Sequence, residues 1–211
     1  NGGYLLKLPV LKIGDLTAEV PIIQGGMAIR LSTARLAAAV AQEGGIGLIA
    51  ASGMAFDELR KEIRLARKLT GGKGIIGINA MVAAREFLGL ITTAAEEKID
   101  LIVAGAGFSR DIFAVGREHN VAVVPIVSSV KLAKISEKLG AAAIVVEGTE
   151  AGGHLGTQQS IKDILPDIVK AVNIPVIAAG GATDGAAVAE LLKLGASGVQ
   201  TVSYTHLTLP T

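Results

Sequence analysis

The sequence predicts an α/β protein, a (β/α)8 barrel in which eight parallel strands close on themselves inside a ring of helices. Short apolar, β-branched runs alternate along the 211 residues with longer segments whose apolar residues recur every three or four positions. The runs are apolar on both faces, which is typical of parallel strands covered by helices. Right-handed crossovers of eight such units close a barrel. An open, doubly wound sheet is the alternative.

The eight predicted strands are runs of four to seven residues that have the length and composition of buried strands. Turn residues, mostly glycine, bound several of them. In chain order the predicted strands are 21–24, 45–50, 74–79, 101–104, 121–127, 141–147, 175–179 and 197–202.

The seven predicted helices lie between these strands and carry one apolar stripe each. In chain order they are 33–42, 56–69, 86–97, 111–118, 130–139, 161–172 and 185–194. Ser32 and Asp184 stand where N-caps belong. Several helices run into glycine before the next strand, which suits a left-handed stop, at Gly44-Gly45, Gly71-Gly72, Gly140 and Gly195.

The amino-acid composition excludes several classes of function. With 20 basic and 19 acidic side chains and no long run of either sign, the chain has no electrostatic nucleic-acid footprint, so we expect a small-molecule ligand. The absence of cysteine excludes disulfides, thiolate catalysis and cysteine-ligated metals. No apolar segment reaches the roughly 18 to 20 residues that span a bilayer, and no signal-peptide pattern is present. We therefore expect one large cytoplasmic domain with no membrane partner.

Unusual residues collect at one edge of the predicted barrel. Ligand sites of such barrels are built at the carboxyl ends of the strands. Each residue alone has a structural explanation, such as a tight turn or a satisfied polar group. Together they predict a ligand site, formed by Gln24-Gly25-Gly26-Met27, Asn79, Gly105-Ala106-Gly107, Ser128-Ser129, His154, Gly180-Gly181 and Gln200.

Two parts of this edge suit a ligand that combines a ring with a phosphate. The Gly180-Gly181 turn leads into a helix, where backbone amides and the helix macrodipole hold phosphate. Asn79, Glu147 and Gln200 supply donors and acceptors from three strands for the heteroatoms of a flat ring. The alternative interpretation of Glu147 is that it is a partner in a buried salt bridge.

His154 lies among glycines just beyond the sixth strand, and its imidazole can move a proton near neutral pH. The competing interpretation is an incidental surface histidine in a glycine-rich turn. His119 is predicted to cap a helix away from the site, and His206 lies near the C-terminus. No two histidines have metal-ligand spacing, so we expect no metal centre.

At four places the chain resembles the nitronate monooxygenase family, formerly called 2-nitropropane dioxygenases: residues 21–27, 77–79, 147–156 and 174–181. The resemblance implies a TIM barrel that binds FMN and oxidises nitronates and nitroalkanes with molecular oxygen to carbonyl compounds and nitrite. It implies that His154 is the catalytic base. The flavin contacts that it implies are Gly25, Gly26, Met27, Asn79, Glu147, Gly152, Gly153, Gly180, Gly181 and Gln200.

The flavin-dependent type II enoyl-acyl-carrier-protein reductases share the same motifs and are the alternative. Gly105-Ala106-Gly107 and the segments 124–127 and 131–134 favour them. Such a reductase also needs NAD(P)H and acyl-carrier recognition, for which the sequence has no distinct basic patch. Dehydrogenases of inosine monophosphate use a similar phosphate turn but need a cysteine nucleophile.

The resemblance ends near Gln200. We expect residues 1–200 to form the FMN-binding barrel and residues 201–211 to be foreign, because they resemble translated adapter sequence. A divergent last strand is the alternative interpretation of residues 201–211. The last helix and the C-terminal region of the family are then missing. A third hypothesis follows, an inactive barrel fragment whose uncovered side a homodimer would shield.

Overall fold

The computed structural model of the protein describes residues 8–27, 33–151 and 158–202. Eight parallel strands form a closed barrel, which confirms the predicted fold class and excludes the open sheet. Each strand pairs with its neighbours along the chain, and the last strand pairs with the first.

All eight predicted strands and all seven predicted helices are present, with ends that differ by a few residues. The barrel strands are β3 (Ile22–Gln24), β4 (Ile46–Ala50), β5 (Ile75–Met81), β6 (Leu101–Gly105), β7 (Ala122–Val127), β8 (Ile144–Glu147), β9 (Val176–Ala179) and β10 (Gly198–Thr201). The helices between them are α1 (Ala34–Gln42), α2 (Phe56–Leu69), α3 (Phe87–Glu96), α4 (Asp111–His119), α5 (Val130–Leu139), α6 (Ile161–Ala171) and α7 (Gly185–Lys193).

The helix ends follow the predicted local chemistry with one correction. Asp184 caps α7 by accepting a hydrogen bond from the N–H of Ala187 at 2.9 Å. The N-cap of α1 is Thr33, which makes no side-chain capping bond, whereas the predicted Ser32 lies outside the described residues. Gly44, Gly140 and Gly195 all have positive φ angles, as the predicted helix stops require.

A short antiparallel hairpin precedes the barrel, and the sequence patterns did not predict it. It consists of β1 (Leu11–Ile13) and β2 (Leu16–Ala18). Leu11 and Ile13 are fully buried, and Leu11 lies against Gly198 near the start of β10. The hairpin therefore closes the end of the barrel at which the strands begin.

The apolar residues of the strands divide by alternation into two buried clusters. One contains helix residues and forms the layer between the strands and the helices, with Ile102 and Val199 as members. The other contains no helix residues among those described but includes Leu11, Ile13 and alternate strand residues such as Val145, and it fills the barrel interior. Of the helices in the described ranges, none combines the length and the apolar character needed to cross a membrane.

Candidate flavin site

Asn79, Glu147 and Gln200 face the inside of the barrel at the end where the strands finish. Their orientation follows from alternation, because Ile78 and Val199 belong to the helix-facing layer, and Val145 to the interior. Glu147 and Gln200 both stand in register with the intervening Ala179, so their Cα atoms are about 10 Å apart. The three polar side chains that were predicted to converge therefore share one opening.

These inward-facing groups have unused hydrogen-bonding capacity. Among the residues that the structure describes, the buried Oε1 of Gln200 has no hydrogen-bond partner. Within the described ranges, neither the Asn79 side chain nor the Glu147 carboxylate has a partner, so Glu147 does not form the alternative salt bridge there. A buried acceptor left without a partner costs free energy, so a bound polar molecule would stabilise this site.

Burial also changes the charge at the site. Because the Glu147 carboxyl is mostly removed from water, desolvation raises its pKa above the ordinary value of a glutamate. A carboxyl with a raised pKa is protonated over a wider pH range, and the protonated form can donate a hydrogen bond. Glu147 therefore offers both donor and acceptor chemistry to a ligand.

The segment Gly25 to Met27 lies across this opening. The N–H of Gly25 donates to the carbonyl of Thr201 at 2.8 Å, which ties the segment to the end of β10. A Cβ atom on Gly25 would stand 3.1 Å from the Gln200 side chain, and one on Gly26 would stand 2.5 Å from the Cβ of Asn79. Side chains at these two positions would displace the polar groups that face the ligand space.

Gln24 has a structural role that sequence reasoning missed. Its side-chain amide donates to the carbonyl of Leu48 and accepts from the N–H of Leu48, both at 3.2 Å. These bonds join β3 to β4 at the end where their ladder stops. Gln24 therefore holds the start of the Gly25 segment rather than a ligand, and only the tertiary structure reveals the partner.

The Gly180-Gly181 turn presents backbone N–H groups that are available to an anion. Both glycines have positive φ angles, of 111° and 69°. Among the described residues, neither N–H has a hydrogen-bond partner. The Asp184 carboxylate already occupies the first turn of α7. The turn amides would therefore hold an anion. The α7 macrodipole, which was predicted to stabilise the anion, is opposed by the negative charge of Asp184.

The other predicted edge residues take structural positions. Ala106 has a φ of 53°, a strained conformation for alanine, and the carbonyl of Gly105 before it accepts from Val82 N–H at 2.8 Å. Ser129 caps α5 by accepting from the N–H of Leu132. His119 is the last residue of α4 and lies away from the site, as expected, although Asn120 is the C-cap.

Three predicted site residues lie outside the described residues: Gly152, Gly153 and the proposed base His154. His206 lies outside them as well. Over the part of the chain that the structure describes, no group of three or more histidine and acidic side chains could hold a metal ion.

The described residues suit a ligand that combines a flat ring with a phosphate, as a flavin nucleotide does. The opening combines an unsatisfied buried acceptor at Gln200 with two polar side chains that face it. Directly after β9, the backbone N–H groups of Gly180 and Gly181, which have no partner among the described residues, suit a phosphate. The arrangement contains no lysine or arginine at the glycine turn, so backbone dipoles would carry the anion.

The sequence of the chain matches a known protein family. The sequence model of the family described as nitronate monooxygenase matches residues 11–88 and 73–207. The chain belongs to the nitronate monooxygenase family. Members of this family are flavin-dependent oxidoreductases, so family membership and the fit of the site to a flavin agree.

Curated relatives extend this result. The chain is 32% identical to a probable nitronate monooxygenase of Staphylococcus aureus, over 88% of this chain and 64% of that protein. It is 33% identical to a (3aS,4S,5R,7aS)-5-hydroxy-7a-methyl-1-oxo-octahydro-1H-indene-4-carboxyl-CoA dehydrogenase of Rhodococcus jostii, over 85% of this chain and 50% of that protein. The chain therefore spans about half to two thirds of the length of these relatives.

Solved structures agree with the family. FabK from Thermotoga maritima superposes with a TM-score of 0.83 at 38% identity, over 88% of this chain and 58% of that chain. A nitroalkane oxidase from Streptomyces ansochromogenes superposes with a TM-score of 0.79 at 26% identity, over 88% of this chain and 65% of that chain. Over the parts that superpose, this chain and the two solved structures share the barrel fold.

Proposed function

We propose that the protein is an FMN-dependent oxidoreductase that oxidises alkyl nitronates and nitroalkanes with molecular oxygen to carbonyl compounds and nitrite. The observation that carries the proposal is the set of unpartnered polar groups at the carboxyl end of the barrel, above all the buried Oε1 of Gln200. Family membership and the similarity to a nitroalkane oxidase support the reaction class. Residues 1–200 are the proposed FMN-binding domain.

The proposed division of labour follows from the polarity of each group. Asn79, Glu147 and Gln200 would hold the heteroatoms of the flavin ring, and the amides of Gly180 and Gly181 its phosphate. Gly25, Gly26 and Met27 would border the ring, and Gly152 and Gly153 would supply further backbone contacts. When bound, the flavin supplies the electron-transfer chemistry, which amino-acid side chains cannot perform.

His154 would serve as the base of the reaction. A neutral imidazole near pH 7 can accept the proton from the carbon that bears the nitro group, and this step converts a nitroalkane into its nitronate. A preformed nitronate has already lost that proton. Turnover of neutral nitroalkanes therefore depends on the basicity of His154 more strongly than turnover of nitronates does.

The first experiment is the visible absorption spectrum of the purified protein, followed by identification of any released flavin. We expect FMN, and nitrite production from propionate 3-nitronate and nitroethane under air. His154→Ala should keep FMN and lose most turnover of nitroethane. His119→Ala is the matched control, because His119 lies at the end of α4 away from the site and should leave turnover unchanged.

Two results would contradict this proposal. Full nitroethane turnover by His154→Ala would remove the imidazole from the reaction. Protein that remains colourless after incubation with FMN would instead favour the third hypothesis, an inert barrel fragment.

The second candidate is FMN- and NAD(P)H-dependent reduction of an enoyl thioester carried on acyl-carrier protein. The 38% identity with FabK favours it, because this value exceeds the 26% identity with the nitroalkane oxidase. The related Rhodococcus dehydrogenase is also named for a coenzyme A thioester. NADH oxidation that is stimulated by a crotonyl thioester, with no nitrite from nitronates, would place this reaction first.

A further inference from the structure

The carboxylate of Glu150 ties the two ends of the segment that contains His154 to each other. Its Oε1 accepts a hydrogen bond from the hydroxyl of Ser160 at 2.5 Å, and its Oε2 accepts from the N–H of Ile161 at 3.0 Å. Next to it, the N–H of Thr149 donates to the carbonyl of Gln159 at 3.0 Å. These hydrogen bonds join residues 149–150, which precede the His154 segment, to residues 159–161, which follow it.

The same residue contacts the proposed phosphate turn. A Cβ atom on Gly181 would stand 3.6 Å from the Cβ of Glu150, and one on Gly180 would stand 2.7 Å from the backbone nitrogen of Ala151. A Cβ atom on Gly148 would approach the Glu150 Oε2 to 2.5 Å and would also overlap Ile161. Glycine at these positions lets the base of the segment lie directly on the turn.

The hydrogen bonds favour the ionised form of this carboxyl. Partial burial alone would raise the pKa of Glu150, but the bonds from Ser160 and the backbone lower it below the ordinary value of a glutamate. The carboxylate also stands at the N-terminus of α6, where a negative charge is stabilised by the helix dipole. Because Glu150 is largely exposed to solvent, its replacement leaves the buried core intact.

We propose that Glu150 is a positioning residue, whose carboxylate fixes the origin of the His154 segment against the Gly180-Gly181 turn. The inference rests on the proposed function, in which His154 is the base and the turn holds the phosphate of FMN. His154 follows Glu150 by four positions in the sequence, so we expect loss of the Glu150 hydrogen bonds to slow proton transfer by His154. A displacement of about 1 Å is sufficient to lower a rate substantially.

The test compares Glu150→Gln with Glu190→Gln in the whole chain of 211 residues. Glutamine keeps the Cβ and Cγ atoms that contact the turn but loses the charge and can accept fewer hydrogen bonds. Glu190 is a matched control, because its ion pair with Lys162 at 2.9 Å also joins α6, but on the exposed surface of α7. Neither substitution removes apolar packing.

Amide hydrogen exchange reports the cross-link without any flavin or substrate. In Glu150→Gln we expect the amides of Thr149, Ala151 and Ile161 to exchange at least about fivefold faster, because local opening becomes easier. The same amides in Glu190→Gln should match the wild type. Unchanged exchange in Glu150→Gln would overturn the proposal.

Kinetics separate a positioning role from a purely structural one. We expect Glu150→Gln to lower kcat for nitroethane about tenfold relative to kcat for propionate 3-nitronate, with the Kd for FMN within about threefold of wild type. An equal loss with both substrates would reject positioning of the base. A wild type that oxidises neither substrate would instead reject the proposed function, and the exchange experiment would still decide whether Glu150 anchors the segment.

Ser160→Ala provides a second variant that removes one of the two donors. Ser160 also caps α6 by accepting from the N–H of Lys162, so the informative amides are those of Thr149 and Ala151. Their exchange rates and the substrate ratio should change in the same direction as in Glu150→Gln by a smaller factor. In the double variant with Glu150→Gln, the two effects should combine to less than their product, because both act on one hydrogen bond. If Glu150→Gln fails to fold, an unchanged exchange rate in Ser160→Ala overturns the proposal.

Discussion

Gly180→Ala is the most direct perturbation of the proposed phosphate site. Gly180 has a φ of 111°, in a region that residues with a side chain rarely adopt. The new methyl carbon would stand 2.7 Å from the backbone nitrogen of Ala151 and 3.1 Å from its Cα. Both neighbours are backbone atoms, so no flexible side chain can move aside.

The expected cost has two parts. Left-handed backbone strain contributes about 1–2 kcal/mol, and overpacking against backbone contributes about 1–3 kcal/mol. The free energy of unfolding should therefore fall by roughly 2–5 kcal/mol. If the turn shifts and one N–H no longer donates to the phosphate, the loss of about 1.5–3 kcal/mol weakens FMN binding roughly 10- to 140-fold.

Two other glycines isolate these contributions. Gly140 has a φ of 100° and open space where a Cβ atom would stand, so Gly140→Ala should cost only the strain of about 1–2 kcal/mol. Gly185 begins α7 with open space around it, so Gly185→Ala should be neutral or slightly stabilising. Neither control should change the Kd for FMN.

The assay combines urea unfolding without flavin and titration of FMN into apoprotein for the three variants. A loss of stability in Gly180→Ala no greater than that in Gly140→Ala would refute the predicted overpacking against Ala151. A wild-type Kd for FMN in Gly180→Ala would refute the phosphate site at this turn.

Three further predictions concern other parts of the chain. Burial raises the pKa of Glu147, so its contribution to stability is present below the unfolded-state pKa and is lost as pH rises through the folded-state pKa. The Tm of Glu147→Gln minus the Tm of wild type should therefore increase between pH 4 and pH 8, and a constant difference would contradict this. Leu11→Ala should lower the free energy of unfolding in urea by about 2–5 kcal/mol, because Leu11 is 0% exposed. Leu8 is 45% exposed, so Leu8→Ala should change it by less than about 0.5 kcal/mol. Similar values for the two variants would refute the role of the hairpin. Lys98 has a φ of 56° after α3, so Lys98→Gly should raise the free energy of unfolding by up to about 1 kcal/mol, and a decrease would show that the strain is absent.

The barrel could be predicted from the sequence because its signals are local. Strand composition, helical periodicity and glycine stops act over a few residues, and Asp184 caps α7 through a contact only three residues away. The hairpin of Leu11 to Ala18 escaped prediction because its two strands have three residues each, too few to show a period.

The edge of the barrel that holds the site could also be predicted, because parallel strands present their carboxyl ends at one edge. The sequence alone thus determined the order of the barrel strands and helices and the side of the barrel on which Asn79, Glu147 and Gln200 lie. That these side chains keep unused hydrogen-bonding capacity among the described residues could be learned only from the tertiary structure.

Contacts between residues distant in sequence were decided by tertiary structure alone. Gln24 bonds to Leu48 across two strands, and Glu150 reaches both Ser160 and the turn at Gly181. Polar residues such as Gln24 and Glu150 are common at strand ends and in loops. Nothing in the sequence around them indicates which residues they contact. Closure of the barrel brings these groups together, because the distance between two side chains depends on the path of the whole chain between them.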